Sequence, residues 1–269
     1  MFSIIIPTLN EEKFLPLLLD SLIPQSNKNF EVIVVDGKSK DSTLEEAHRY
    51  SQRLPSLTVI EGDKRGVSVQ RNKGASNAQG QWLIFLDADS IVFPYFIERI
   101  HVYITSHNPS LFTAWSAPDL DTETDALNSL FVNIYFEGSI LVHRPISPGA
   151  MTVIKKDIFH KIGGFNEAIT FGEDFDLTRK AVRQGFKFTI LRETLYIYSL
   201  RRVRREGKLK FLQTYVKATI FALINKNGLQ SMPGYTMGGQ LYSTKKKVKK
   251  SFLKTYEAKL RSLIKDFLS

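Results

Sequence analysis

The sequence contains no cysteine. This absence excludes disulfides, Cys-ligated zinc, iron–sulfur clusters and thiol nucleophiles, and it agrees with a reducing compartment. The chain must therefore be stabilised by its own core. With 269 residues, 43% of them hydrophobic, it is long enough to bury most of its apolar surface.

Long apolar runs and targeting signals are lacking as well. No run approaches the roughly 18 residues of a membrane-spanning helix. The N-terminal MFSIIIPTLNEE has neither a basic leader nor a small-residue cleavage site, so we expect no signal peptide. The expected location is the cytoplasm, in solution or peripherally at the cytoplasmic face of the membrane.

Acidic residues are scarce in the last quarter of the chain. Residues 201–269 hold 17 Lys and Arg against 3 acids, a net charge of +14, whereas residues 1–200 carry −4. This asymmetry predicts a slightly acidic domain over 1–200 and a basic, mostly helical extension over 201–269. The extension either meets an anionic partner or presents a solvated helical face.

Two segments of the extension favour a contact. From Val248 to Phe267, apolar residues recur on one helix face beside lysines, as in helices that lie on membranes. The same stripe could pack on the domain, and Phe211–Ile224 could dock on a membrane or a partner subunit. The basic-and-aromatic stripe of a strand-tracking groove is lacking, so we expect no nucleic-acid partner.

The first 200 residues alternate short apolar strands with stretches of helical spacing. Strands are predicted at Phe2–Ile6, Phe30–Val35, Leu57–Ile60 and Trp82–Leu86. This alternation predicts an α/β fold, with a mostly parallel central sheet flanked by helices.

Polar residues follow three of these strands, as TLNE, DGKS and DAD. In open α/β sheets the ligand lies beyond the carboxyl ends of the strands, so we expect these residues to line one crevice. Asp-x-Asp spacing alone is uninformative, because it occurs at 87/89, 119/121 and 174/176. Only the first pair follows a clean strand and could hold Mg²⁺ or Mn²⁺. The 119/121 pair lies in a polar loop and is expected to be solvated.

Five segments between residues 4 and 185 together resemble the family 2 glycosyltransferases of the GT-A type, and they occur in the family's order. They are IIIPTLNEE, VVDGKSKDST, GVSVQRNKGA, FLDADS and IGGFNEAITFGEDFDLTRKAVRQG. The resemblance implies a GT-A, Rossmann-like fold. It also implies inverting transfer of a sugar from a nucleoside diphosphate sugar to an acceptor hydroxyl, most often by a hexosyltransferase.

The resemblance assigns a donor side to the site. The residues implied to line the nucleotide are Thr8, Asn10, Glu11, Asp36, Arg71 and Asp87. Asp36 would accept a hydrogen bond from the base. Arg71 would donate to a phosphate or a base carbonyl, unless it only forms a helix-surface salt bridge. Asp89, with Asp87, would ligate the Mn²⁺ or Mg²⁺ that bridges the phosphates.

The acceptor side follows from the same resemblance. Asp174 matches the general base, at a helix start whose dipole favours an ionised carboxylate, although a mere N-cap is the alternative. Gly149 would let the acceptor approach the backbone, beside Glu173. Arg201 and Arg202 would contact the diphosphate, or belong to a basic surface patch. No histidine follows residue 160, so a further histidine metal ligand is absent.

The identity of the substrates stays open at this point. UDP-sugars are favoured as donors and GDP-sugars remain open, and the acceptor could be lipid-linked or a cell-envelope glycan. The alternatives are a nucleotidyltransferase-like nucleotide-sugar enzyme and a catalytically inactive GT-A scaffold or binding protein. The first would show a Gly-rich basic loop after the first strand, which PTLNEEKF does not supply. The presence of all four candidate aspartates, Asp36, Asp87, Asp89 and Asp174, argues against an inactive scaffold.

Overall fold

Strands and helices alternate along the chain in the computed structural model, which describes residues 1–54, 56–119, 132–134, 136–140, 145 and 147–201. The strands are β1 (Phe2–Thr8), β2 (Phe30–Asp36), β3 (Leu57–Glu61), β4 (Trp82–Leu86), β5 (Ile91–Val92), β6 (Leu111–Pro118), β7 (Met151–Lys155) and β8 (Phe188–Tyr198). The helices are α1 (Leu15–Leu22), α2 (Thr43–Arg49), α3 (Val67–Asn77), α4 (Phe96–His107), α5 (Lys156–Lys161) and α6 (Glu173–Arg183).

These eight strands form one mixed sheet in the order β3-β2-β1-β4-β7-β6-β8-β5. Strands β1 to β4 run parallel to one another, and β6 is parallel to β8. Strands β7 and β5 run against their neighbours. The α/β prediction is confirmed, and six of the eight strands point the same way.

The central strands are buried on both faces because helices cover both sides of the sheet. Every residue of β1, β2 and β4 is buried. Side chains alternate along β1, so Ile4 and Ile6 pack into one core cluster while Ile5 packs into the other. Strands that are buried on both faces consist almost entirely of apolar residues, and such runs can be recognised in the sequence.

Strand β7 brings a distant loop to the crevice. Because β7 is antiparallel to β4, Met151 pairs with Leu86 at the carboxyl end of β4. The Asp87 N–H donates to the Ala150 carbonyl at 3.1 Å. Gly149 therefore lies at the same edge of the sheet as the Asp87–Asp89 turn.

The predicted extension lies outside the described residues, apart from Arg201. No helix in the described part of the chain is long and apolar enough to cross a membrane.

Candidate active site

The loops after β1 and β2 are fastened to each other. Thr8 Oγ1 donates to Asp36 Oδ1 at 3.2 Å, and the Ser39 N–H donates to Asp36 Oδ2 at 2.8 Å. Asn10 has a left-handed backbone, with φ 56°, and its Oδ1 accepts from the Lys40 N–H at 2.8 Å. Three predicted nucleotide residues, Thr8, Asn10 and Asp36, are thus brought together at one end of the crevice.

Gln70 is a site residue that the sequence did not reveal. Its Nε2 donates to the carbonyls of Thr8 and Val35, each at 2.7 Å, and so joins the ends of β1 and β2. A Cβ at Gly37 would lie 2.9 Å from this side chain, so a larger residue there would shift the Gln70 amide. The only sequence feature that could have identified Gln70 is its position next to Arg71. A glutamine in a helix otherwise looks like an ordinary surface residue.

Arg71 of α3 is the central residue of the site. Its Nη1 donates to Glu173 Oε1 at 2.9 Å, and its Nη2 donates to Asp87 Oδ1 at 2.8 Å and to the Gly149 carbonyl at 2.9 Å. The guanidinium lies over the Phe165 ring and the residue is only 2% exposed, so this is no surface salt bridge. Arg71 therefore links the predicted donor side to the predicted acceptor side. Its contact with the nucleotide remains a prediction.

Asp174 lies in the first turn of α6, where Gly172 occupies the N-cap position with φ 72°. The carboxyl group is buried, at 7% exposure, and a Cβ at Gly149 would lie 3.2 Å from its Oδ2. Burial, and then the charge of Glu173, raise the pKa of Asp174 well above its ordinary value, while Arg71 opposes the shift. A raised pKa makes the carboxylate a stronger base.

Arg201 joins the two remaining donor-side carboxylates. Its Nη1 and Nη2 donate to the two Glu11 oxygens, both at 2.6 Å, and its Nε lies 2.8 Å from Asp89 Oδ2. The guanidinium lies 4.7 Å from the centre of the Phe14 ring. The structure thus brings Arg201 to the predicted metal motif, whereas Arg202 lies outside the described residues.

The expectation that Asp119 is solvated is wrong. Asp119 directly follows β6 and is 1% exposed. It accepts from Ser199 Oγ at 3.0 Å and from the Leu200 N–H at 3.1 Å. The segment LFTAWSAP mixes Ala, Ser and Pro with apolar residues, so its sequence did not identify a strand ending at Asp119. Asp121 lies outside the described residues.

Among the residues that the structure describes, carboxylates outnumber cations in the crevice. Burial raises the pKa of Glu11 to about 7, although Arg201 lowers it. Burial also raises the pKa values of Asp87 and Asp89, against the opposing effects of Arg71 and Arg201. Such an oxygen-rich site with excess negative charge fits a hard divalent cation held by Asp87 and Asp89.

Few protein ligands for that cation lie among the described residues, where no three His, Cys, Asp or Glu side chains are grouped to hold a metal ion. Phosphate oxygens and water commonly complete the coordination of Mg²⁺ held by one or two carboxylates.

Comparison of the sequence with known proteins finds glycosyltransferases. The family model described as Glycosyl transferase family 2 matches residues 3–163. An uncharacterized glycosyltransferase of Haemophilus influenzae is 31% identical over 188 residues, which cover 68% of this chain and 63% of that protein. The poly(ribitol-phosphate) beta-N-acetylglucosaminyltransferase TarS of Staphylococcus aureus is 28% identical over 218 residues, covering 77% of this chain and 36% of TarS.

Solved structures show the same fold. The crystal structure of S. aureus TarS 1-349 in complex with UDP-GlcNAc has a TM-score of 0.58 at 22% identity, covering 74% of this chain and 58% of that one. The mannosyltransferase PcManGT from Pyrobaculum calidifontis, in complex with GDP-Man and Mn²⁺, has a TM-score of 0.64 at 20% identity. That match covers 85% of this chain and 65% of that one. The chain thus spans less than two thirds of the length of these relatives.

Proposed function

The chain belongs to glycosyl transferase family 2, and on that basis we propose that it is an inverting glycosyltransferase that uses a nucleoside diphosphate sugar and a divalent cation. The observation that carries the proposal is the Arg71 guanidinium, which binds Asp87 on one side and Glu173 and the Gly149 carbonyl on the other. Asp87 on the expected phosphate side and Glu173, the neighbour of the expected base Asp174, share this one cation, which supports a site that joins a diphosphate to an acceptor hydroxyl.

Asp174 is the proposed general base. The acceptor hydroxyl must lose its proton as its oxygen attacks the anomeric carbon, and a carboxylate of raised pKa accepts that proton more readily. Gly149 leaves the Oδ2 side of Asp174 open, because any larger residue would press against that oxygen. Glu173 pairs with Arg71, and its charge is a second cause, after burial, of the raised pKa of Asp174.

The donor is proposed to lie between the strand ends and Asp89. Asp36 is the proposed acceptor for a base N–H, with Thr8 and Ser39 fixing its carboxylate. When bound at Asp87 and Asp89, Mn²⁺ or Mg²⁺ would neutralise charge on the diphosphate leaving group. The UDP-GlcNAc complex of TarS favours a UDP-sugar, and the GDP-Man complex of PcManGT keeps GDP-sugars as the alternative.

The acceptor is proposed to be a lipid-linked or cell-envelope glycan at an anionic membrane face. The support is the charge of residues 201–269, 17 Lys and Arg against 3 acids. A basic segment of this kind is attracted to anionic lipids. The relative TarS is named for poly(ribitol-phosphate), a polymer whose phosphates are anionic.

A donor-binding panel tests the proposed function. UDP- and GDP-sugars are screened by thermal shift with Mn²⁺, Mg²⁺ or chelator on the wild type and on Asp89→Asn. We expect one donor to raise the melting temperature with metal only, and Asp89→Asn to lose that shift. Binding of no nucleotide sugar under any metal condition would favour a catalytically inactive scaffold. Release of pyrophosphate from a nucleoside triphosphate would instead identify a nucleotidyltransferase.

A further inference from the structure

The guanidinium of Arg201 occupies a position between two carboxylates of the donor site. Each of its three nitrogens has a carboxylate partner: Nη1 and Nη2 bind Glu11, and Nε binds Asp89 Oδ2. The side chain is 11% exposed and lies against the Phe14 ring. Arg201 is therefore a cation held beside the carboxylate on which the proposed metal depends.

The backbone that carries Arg201 is held by Asp119. The buried Asp119 carboxylate accepts from Ser199 Oγ and from the Leu200 N–H, and its own N–H donates to the Tyr198 carbonyl at 3.1 Å. The Arg201 N–H in turn donates to Ser199 Oγ at 3.3 Å. Asp119 thus fixes the three residues after β8, which sets the point from which the Arg201 side chain starts.

The two partners of Arg201 hold it unequally. Glu11 binds the guanidinium through two parallel, charge-assisted hydrogen bonds, a geometry that is strong and specific. Asp89 meets the guanidinium at Nε, on the side away from that bidentate pair, and its side chain is more exposed than that of Glu11. A cation arriving from the crevice would therefore compete for the Asp89 contact and leave the Glu11 contact in place.

We propose that Arg201, positioned by Asp119, is a built-in counter-cation that a divalent cation displaces from Asp89 while Glu11 retains the guanidinium. The inference rests on the proposed function, because it needs the metal to bind at Asp89. Before the metal arrives, Arg201 reduces repulsion among Glu11, Asp87 and Asp89. Afterwards it remains beside the metal, where it can donate to the diphosphate.

If Arg201 competes with the metal in this way, removing its charge should affect the binding of the metal and of a nucleoside diphosphate in opposite directions. Removing the Arg201 charge frees the Asp89 oxygen, so the metal alone binds more tightly. The same change removes a donor from the metal-loaded site, so a nucleoside diphosphate binds more weakly. A purely structural role for Arg201 would weaken both.

A metal titration of the nucleotide-free protein tests the proposal. Mn²⁺ is added to the full chain, and free Mn²⁺ is measured by electron paramagnetic resonance for wild type, Arg201→Gln and Arg192→Gln. Arg192 is the matched control, because it pairs with Glu137 at 2.7 Å while its side chain is 71% exposed. UDP binding at saturating Mn²⁺ is then measured by calorimetry for the same proteins.

We expect Arg201→Gln to bind Mn²⁺ roughly tenfold more tightly, the order of one lost charge-assisted hydrogen bond, and to bind UDP more weakly. Arg192→Gln should match the wild type in both. Equal or weaker Mn²⁺ binding by Arg201→Gln overturns the inference alone. Absence of Mn²⁺ binding in every protein overturns both the inference and the metal of the proposed function.

A second variant tests whether Asp119 positions Arg201. Asp119→Asn preserves side-chain shape but weakens the hold on the Leu200 N–H. The double variant with Arg201→Gln isolates the part of its effect that acts through Arg201. We expect Asp119→Asn to favour Mn²⁺ binding more in the wild-type background than in the Arg201→Gln background. Equal effects in both backgrounds would contradict the positioning role of Asp119.

Discussion

At the scale of single residues, two arginines, Arg71 buried and Arg201 largely so, bind four carboxylates of the site. Arg71 binds Asp87 and Glu173, and Arg201 binds Glu11 and Asp89. Moving charged side chains out of water is costly, so the folded state depends on each of these charges keeping its partners. The site is therefore sensitive to removal of either cation.

Loss of the Arg71 charge should destabilise the fold. Arg71→Gln leaves Glu173 and Asp87 without their cation, and breaking a buried pair typically costs roughly 3–5 kcal/mol. The matched change Arg49→Gln removes a cation from exposed Glu45 and Glu46 pairs, which should cost less than about 1 kcal/mol. Urea unfolding of both variants measures the difference. Similar costs for the two would show that Arg71 is not a buried structural partner.

The pKa of Glu11 predicts a pH dependence of stability. Burial raises this pKa from 4.5 to about 7, so the folded state holds the Glu11 proton more tightly than the unfolded chain does. The resulting contribution to the free energy of unfolding is complete below pH 4.5 and is lost as pH rises through 7.

Glu11→Gln, which cannot ionise, should lose less stability between pH 5 and pH 8 than the wild type. Urea unfolding at the two pH values measures this, with Glu45→Gln on the surface as control. If Glu11→Gln and the wild type show the same pH dependence, the carboxyl group is ionised throughout that range.

Motif resemblance pointed to most of the residues that the structure brings together in the crevice, but not to the contacts among them. Glu11 and Arg201 are 190 positions apart. They can pair because the end of β8 and the loop after β1 lie at the same crevice. Apart from the adjacency of Gln70 to Arg71, nothing local to Gln70 or Asp119 indicates burial, because the partners of both are backbone atoms distant in the sequence. Such contacts follow from the folded topology and are not visible in sequence patterns.

At the scale of elements, helix α3 positions two site residues by packing closely on β1. A Cβ at Gly74 would lie 2.4 Å from Ile5 Cγ2, a distance that real side chains do not show. The same helix carries Gln70 and Arg71, which reach the strand ends and the carboxylates. The spacing between α3 and β1 therefore sets the position of both.

Gly74→Ala should push α3 from the sheet. We expect a loss of roughly 1–3 kcal/mol, the usual cost of overpacking a buried interface, together with weaker donor binding because Arg71 moves. Gly138→Ala is the control, because a Cβ at Gly138 would meet nothing within 4 Å. Denaturant unfolding and calorimetry with UDP measure the two effects. An unaffected Gly74→Ala protein would show that the helix does not need this close approach.

The sequence predicted the elements of the first half better than those of the second. Strands β1 to β4 are buried or apolar runs bounded by turn residues, a pattern that is local. Strand β5 has two residues and exists only through pairing with β8, and β6 pairs with β8 across register shifts. Pairing between distant segments defines these strands, so no local pattern could have predicted them.

At the scale of the whole molecule, charge is divided along the chain. The described domain contains the carboxylate-rich crevice, and the 14 net positive charges lie in residues 201–269. A basic segment linked to a catalytic domain can bring it to an anionic surface without altering its site.

Deletion of residues 245–269 should reduce binding to anionic vesicles while leaving UDP binding unchanged. The deletion removes a cluster of lysines, and each basic residue near an anionic surface is worth about 1 kcal/mol. Flotation with phosphatidylserine-containing and neutral vesicles measures the effect. If the full chain does not float with anionic vesicles, the proposed membrane contact is contradicted.

The central claim, that Asp174 is the base of a sugar-transfer reaction, is tested most directly by nucleoside diphosphate release. The donor from the binding panel is incubated with Mn²⁺ and either wild type or Asp174→Asn, and product is followed from pH 5 to pH 9. The wild-type rate should rise with pH through a pKa above the ordinary carboxyl range, because the deprotonated form of Asp174 accepts the proton.

Asp174→Asn should bind the donor normally but release product about 10²- to 10⁴-fold more slowly, without that pH limb. An Asp174→Asn protein that turns over the donor at the wild-type rate with the same pH profile would contradict the account.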